Sequence, residues 1–139
     1  MSQRTIGIGA GEESGKVFSS IARSNVSSRI IVYHGPGTGL PAPPRGIELR
    51  ECPDPCSSLG NDLAGGHIDA AIRGTLPANR TLSALKRSFG VDHLERAALL
   101  ETSDGHRFFL APVGIDEGWF APLPKRLLRR TPDERCRAM

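Results

Sequence analysis

The sequence predicts an α/β fold, a three-layer sandwich around a mainly parallel sheet with one antiparallel hairpin. Three observations predict it. Short apolar, β-branched runs alternate with segments of helical periodicity, Gly/Pro-rich turns separate them, and a Thr-Ser-Asp-Gly turn joins the last two runs. A chain of 139 residues is the size of one domain and buries enough surface for one core.

Each element has a local reason. Thr5 to Gly9 is a short apolar strand, and Glu12 to Arg23 sets Val17, Ile21 and Ala22 on one side near helical spacing. Arg29 to Tyr33 is a β-branched strand. After a Gly/Pro loop, Ile47 to Arg50 offers another strand. Ser57 or Ser58 can cap a helix that runs through Leu63 and stops at Gly65-Gly66. Ile68 to Ile72 reads as a buried strand, and Thr81 to Phe89 as a helix ended by Gly90. Ala97 to Glu101 and Arg107 to Ala111 flank the hairpin turn.

Composition narrows the function classes. No apolar stretch approaches the roughly 20 residues of a spanning helix, and the opening MSQRTIGIGAG has no secretory h-region, so the expectation is a cytoplasmic protein with no membrane partner. The net charge of +3 is unevenly placed: residues from Phe120 onward carry +4, with six basic side chains against Asp133 and Glu134, leaving −1 for residues 1–119. The basic character belongs to a tail (120–139), and the α/β domain is placed at 1–119. No aromatic side chains interleave with the basic ones, so nucleic acid is not an expected partner.

Three cysteines are an odd number for a disulfide framework. Cys52 and Cys56 form C-P-D-P-C, but zinc needs four ligands and no second Cys/His pair lies at ligand spacing, so no metal is expected and the motif reads as a proline-stiffened turn. The four histidines are scattered singly, and Cys136 lies in the tail.

In open α/β sheets ligands gather at the carboxyl ends of the strands, where helix N-termini present free N–H groups. Three loops are candidates. GIGAGEESGKV at 7–17 resembles two phosphate motifs and satisfies neither, because Ala10 and Val17 stand where a P-loop needs Gly and Ser/Thr, and Glu12 stands at the third glycine of a dinucleotide fingerprint. Gly9, Gly11 and Glu12 are either a tight strand-to-helix turn or a loop for a neutral or cationic group. HGPGTGLPAPPRG at 34–46 is a lid or a connector.

The third loop is the most specific. Arg73 ends an apolar strand, Gly74 lets backbone approach a ligand, and Thr75 adds a hydroxyl just before a helix, together an anion clamp for a small-molecule anion or a cofactor phosphate. The alternative is an internal Asp69–Arg73 ion pair that pins the turn. Asp69 is in either case a supporting residue, as are Asp116 and Glu117, adjacent carboxylates that read as acid and base or as a solvated cap. Trp119 closes this region as a plug at the edge of the core.

The runs GHIDAAIRGTLPANRTLSALK and ALLETSDGHRFFLAPVGIDEGW resemble the methanogenesis marker protein four family, the methyltransferase-associated subunit X of methanogenic archaea. That family in turn is similar to phosphate acetyl- and butyryltransferases, whose acidic residue, Gly and Thr correspond to Asp69, Gly74 and Thr75. The resemblance implies the α/β/α fold those acyltransferases share with isopropylmalate-type dehydrogenases, a transferase activity, methyl or acyl, or an accessory role beside a methyltransferase partner subunit. It covers residues 5–119 and stops after GIDEGW, where family members continue with further sheet and helix. The expectation is therefore a truncated fold holding one wall of the site. The sequence names no cofactor: it carries no defensible S-adenosylmethionine glycine loop and no corrinoid-binding histidine motif.

Overall fold

The computed structural model describes residues 3–94 and 96–110. Asp116, Glu117, Trp119 and the basic tail lie outside these residues. The chain divides into two compact units, Met1–Asp92 and His93–Met139.

The first unit is built from β1 (Thr5–Ala10), α1 (Ser14–Arg23), β2 (Arg29–His34), β3 (Ile47–Glu51), α2 (Pro55–Ala64), β4 (Ala70–Ile72) and α3 (Ala78–Phe89). The four strands are parallel and lie in the order β3-β2-β1-β4. Parallel sheets bury both faces, and the side chains of β2 divide accordingly. Ile30 and Val32 join Ile8, Val17 and Phe18 in a cluster beneath α1. Ile31 and Tyr33 join Cys56, Leu59, Leu76 and Ala84 in a second cluster beneath α2 and α3. The result is the expected three-layer arrangement.

Local chemistry explains the ends of the helices. Asp54, not Ser57 or Ser58, is the N-cap of α2, with Pro55 in its first turn and the Asp54 carboxylate accepting from the Ser57 hydroxyl at 2.7 Å and the Ser57 N–H at 3.4 Å. These bonds hold the Asp54 carboxyl below its ordinary range, the Ser57 hydroxyl contributing most. Helix α3 begins at Ala78, three residues before Thr81, and ends at Gly90 with φ 62°. In α1 the core contacts fall on Val17 and Phe18 with Ile21 partly buried, whereas Ala22 is exposed.

Strand β4 departs from expectation. It is short and lies at the sheet edge among the described residues, so Ala70 faces solvent and Ile72 is 49% exposed, while Ile68 just before it is buried. One flank of an edge strand has no neighbour to cover it.

Helix α2 is fastened to the sheet by a polar cluster. The hydroxyl of the fully buried Tyr33 donates to Asp62 Oδ2 at 2.5 Å, and Arg50 donates to the same oxygen at 2.6 Å while its guanidinium lies 5.2 Å over the Tyr33 ring. Glu48 links Arg50 to Arg29, which holds its carboxyl below the ordinary range. Burial, first, and the Asp62 carboxylate, second, push the Tyr33 hydroxyl well above the ordinary tyrosine pKa.

The second unit contains an antiparallel hairpin, β5 (Ala98–Glu101) and β6 (Arg107–Leu110). Its turn closes through Gly105 N–H donating to Thr102 O at 2.9 Å, as the Thr-Ser-Asp-Gly signal requires.

Candidate functional site

The order in which strands are added reverses between β1 and β4. Strands β2 and β3 are added on one side of β1 and β4 on the other, with α1 covering one face and α2 the opposite face. Such a reversal is where open α/β sheets bind ligands, outside the carboxyl ends of the strands. The loops after β1 and β4 therefore define the candidate site.

These two loops are locked together. Thr75 N–H donates to Gly9 O at 3.2 Å, and Gly11 N–H donates to Thr75 Oγ1 at 2.9 Å. Glycine makes the contact possible. A Cβ on Gly74, whose φ is 59°, would stand 2.0 Å from Gly9 O, and a Cβ on Gly9 would stand 2.2 Å from Leu76 Cδ1. The close approach that Gly74 allows is thus made by the chain's own backbone. Gly9 and Gly11 likewise face Leu76 and the Thr75 carbonyl across the same seam.

Arg73 and Asp69 are not brought together. Asp69 stands just before β4 and accepts from Thr5 N–H at 2.7 Å, while its own N–H donates to Thr5 O at 2.8 Å. Arg73 follows the opposite end of the strand, four residues and about 13 Å of extended chain away. Its Nη1 donates to Leu76 O at 2.6 Å, which stiffens the turn into α3 and uses one of five guanidinium N–H groups. Arg73 is exposed, Gly74 and Thr75 half-buried.

Beside the locked loops lies an open hollow of about 390 Å³, lined by residues 11–15 and by Thr38 and Gly39. It lies at the first turn of α1, the positive end of that helix dipole. Glu12 and Glu13 reach its rim, and Glu13 is paired with Lys16 at 2.6 Å, both side chains largely exposed. Glu13 holds a left-handed backbone, φ 54°. The Gly/Pro loop is tied down here: the buried Ser14 hydroxyl donates to Gly39 O at 2.7 Å, and Leu40 packs on the cluster under α1. Arg73 is not part of the lining.

Ser14, Thr38 and His34 fall within the candidate stretches 7–17 and 34–46, but sequence reasoning singled out none of them. His34 ends β2, pairs in register with Ala10, and is only 7% exposed. The period of two along β2 was the available signal, since it assigns His34 to the face of Ile30 and Val32. Among the described residues no helix is long and apolar enough to cross a membrane, and no three His, Cys, Asp or Glu side chains cluster as a metal site would require.

No family model matches the chain. It is 51% identical over 73 residues to the "Putative methyltransferase mtx subunit X" of Methanosarcina mazei, covering 52% of this chain and 26% of that protein. A protein of the same name from Methanosarcina acetivorans is 50% identical over 72 residues, again covering 52% and 26%. An "Uncharacterized methyltransferase" of Methanopyrus kandleri is 34% identical over 128 residues, covering 84% of this chain and 47% of its own length. The matches thus span between a quarter and a half of these relatives. A branched-chain phosphotransacylase from Enterococcus faecalis superposes with a TM-score of 0.58 at 16% identity, over 77% of this chain and 41% of the other. The chain is a homologue of one portion of the proteins named methyltransferase mtx subunit X, built on the fold of a phosphotransacylase.

Proposed function

We propose that the chain supplies an anion-holding wall of a methyltransferase-related protein, gripping an anionic substrate or a cofactor phosphate at the carboxyl edge of its sheet. The observation that carries this is the seam at the strand-order reversal. At this edge Thr75 is fixed by its bonds to Gly9 and Gly11 and Arg73 by its own bond to Leu76 O, beside the loop that leads into α1. An always-charged fork beside a hydroxyl and a helix N-terminus is a donor set for an oxyanion, and the hollow takes the neutral remainder of the ligand. The free thiols of Cys52 and Cys56, both buried, support a reducing, cytoplasmic setting.

A second reading, a non-catalytic accessory subunit with a methyltransferase partner, is favoured by Ser14. This buried hydroxyl at the hollow is committed to a backbone carbonyl and not to a base. The relatives' name, a subunit, agrees with it.

Calorimetric titration with inorganic phosphate, acetyl phosphate, coenzyme A and S-adenosylmethionine tests the proposal. Arg73→Ala is expected to weaken an anionic ligand by about 1.5 to 3 kcal/mol, as for loss of a charge-assisted hydrogen bond. Unchanged affinity in the variant would refute the clamp. Methyl or acyl transfer by the purified chain, lost in Arg73→Ala, would decide for the enzyme over the accessory subunit.

A further inference from the structure

We propose that the open edge of β3 docks a second copy of this chain, the two β3 strands pairing antiparallel about Leu49 so that the sheets of both copies continue as one.

Strand β3 ends the sheet, with β2 on one side and no strand beyond it among the described residues. In a parallel sheet alternate residues of a strand bond to each side, and Cys52 N–H donates to His34 O at 2.9 Å, so Glu48 and Arg50 share its parity and bond to β2. The N–H and C=O groups of Ile47, Leu49 and Glu51 therefore point away from the sheet. No hydrogen bond reaches them among the described residues.

Edges of this kind are ordinarily blunted by proline, by a bulge or by charges of one sign. Strand β3 has none of these. Its register with β2 runs unbroken from Ile47 to Glu51, it contains no proline, and the charges on its α2 face, Glu48 and Arg50, are opposite in sign. On the other face Leu49 is 37% exposed.

The run Ile-Glu-Leu-Arg-Glu is complementary to itself in one register. Antiparallel pairing about Leu49 sets Leu49 against Leu49 of the second copy, Glu48 against its Arg50, and Ile47 against its Glu51. The outward groups of Ile47, Leu49 and Glu51 then exchange both bonds of hydrogen-bonded pairs. Glu48 and Arg50 fall at the other positions, where opposed Cα atoms stand about 4.5 Å apart and side chains are closest. Arg50 already bonds Glu48 of its own chain at 3.1 Å, so opposite charges alternate both along and across the seam.

Other registers are penalised. A slip of two residues opposes Glu48 to Glu48 or Arg50 to Arg50, and a slip of one sets outward groups of one strand against inward groups of the other. Strand β4, at the opposite edge, is Ala-Ala-Ile and carries no charge that would select a partner. Because each copy offers the same patch, the pairing closes at a dimer and does not propagate.

Sedimentation equilibrium from micromolar to millimolar protein is expected to show a reversible dimer. Leu49→Lys puts like charges directly opposite at its centre and is expected to raise the dimer Kd about a hundredfold or more. Amide hydrogen exchange followed by NMR locates the interface: with rising concentration the Ile47, Leu49 and Glu51 amides should slow, while those of Glu48 and Arg50, already bonded to β2, should not change. A chain that stays monomeric at millimolar concentration overturns the proposal, as does an assembly that grows beyond a dimer. A dimer in which Ile47, Leu49 and Glu51 gain no protection, or which a folded Leu49→Lys leaves intact, overturns it equally. If Leu49→Lys unfolds, the exchange pattern of the parent chain decides by itself.

Discussion

Replacing Gly74 with alanine tests whether the seam between the two loops is a packing contact that nothing but hydrogen can occupy. Gly74 and Gly90 have nearly the same backbone, φ 59° and 62°, but different surroundings. A Cβ at Gly90 meets nothing within 4 Å, whereas at Gly74 it would lie 2.0 Å from Gly9 O. The left-handed conformation costs an L-residue about 1 to 2 kcal/mol, so Gly90→Ala is expected to lose about that much. At Gly74 the same cost applies, and the contact is with backbone, which has no rotamer to escape to. Relief requires the loops to separate, with loss of Thr75 N–H to Gly9 O and Gly11 N–H to Thr75 Oγ1. At about 1 kcal/mol for each bond, Gly74→Ala should lose about 3 to 4 kcal/mol. Equilibrium urea unfolding of the two variants beside the parent measures the difference. Equal losses would show that the seam yields freely, and would remove the reason for fixing Arg73 and Thr75 in one place.

Tyr33 is the chain's one tyrosine, so its titration can be followed by tyrosinate absorbance. Because the folded pKa is raised, its contribution to stability is complete below the ordinary value near 10 and declines as pH rises from there toward the folded value. Tyrosinate should therefore appear together with unfolding, and Tyr33→Phe should lose about 1 to 2 kcal/mol at neutral pH but decline less in alkali; tyrosinate formed in a still-folded chain would contradict this. Asp54 works in the opposite sense. Its lowered pKa means that its contribution is present above about pH 4 and lost as pH falls through the folded value. Asp54→Ala should cost about 1 kcal/mol at pH 7 and much less at pH 2, and a pH-independent difference between variant and parent would exclude the cap as its source.

The sequence by itself determined what depends on near neighbours along the chain. The β-branched run at Arg29–Tyr33, the glycine that stops α3 and the Thr-Ser-Asp-Gly turn each act over a few residues, so the alternation of strand and helix was legible and with it the sandwich. Arg73, Gly74 and Thr75 were legible as a group because a strand end followed by a helix start is also local. Tertiary structure decided the rest. Gly9 and Gly74, far apart in sequence, are explained by one contact across a seam that no window along the chain contains. Asp69 and Arg73 look like a pair at four residues' spacing, but an extended strand sends them to opposite ends of the sheet, where a helix would have joined them. His34, one of four scattered histidines, is set beside Ala10 at the carboxyl edge only by parallel pairing. A sheet is assembled from segments distant in sequence, so the order and register of its strands choose which loops meet at its edge.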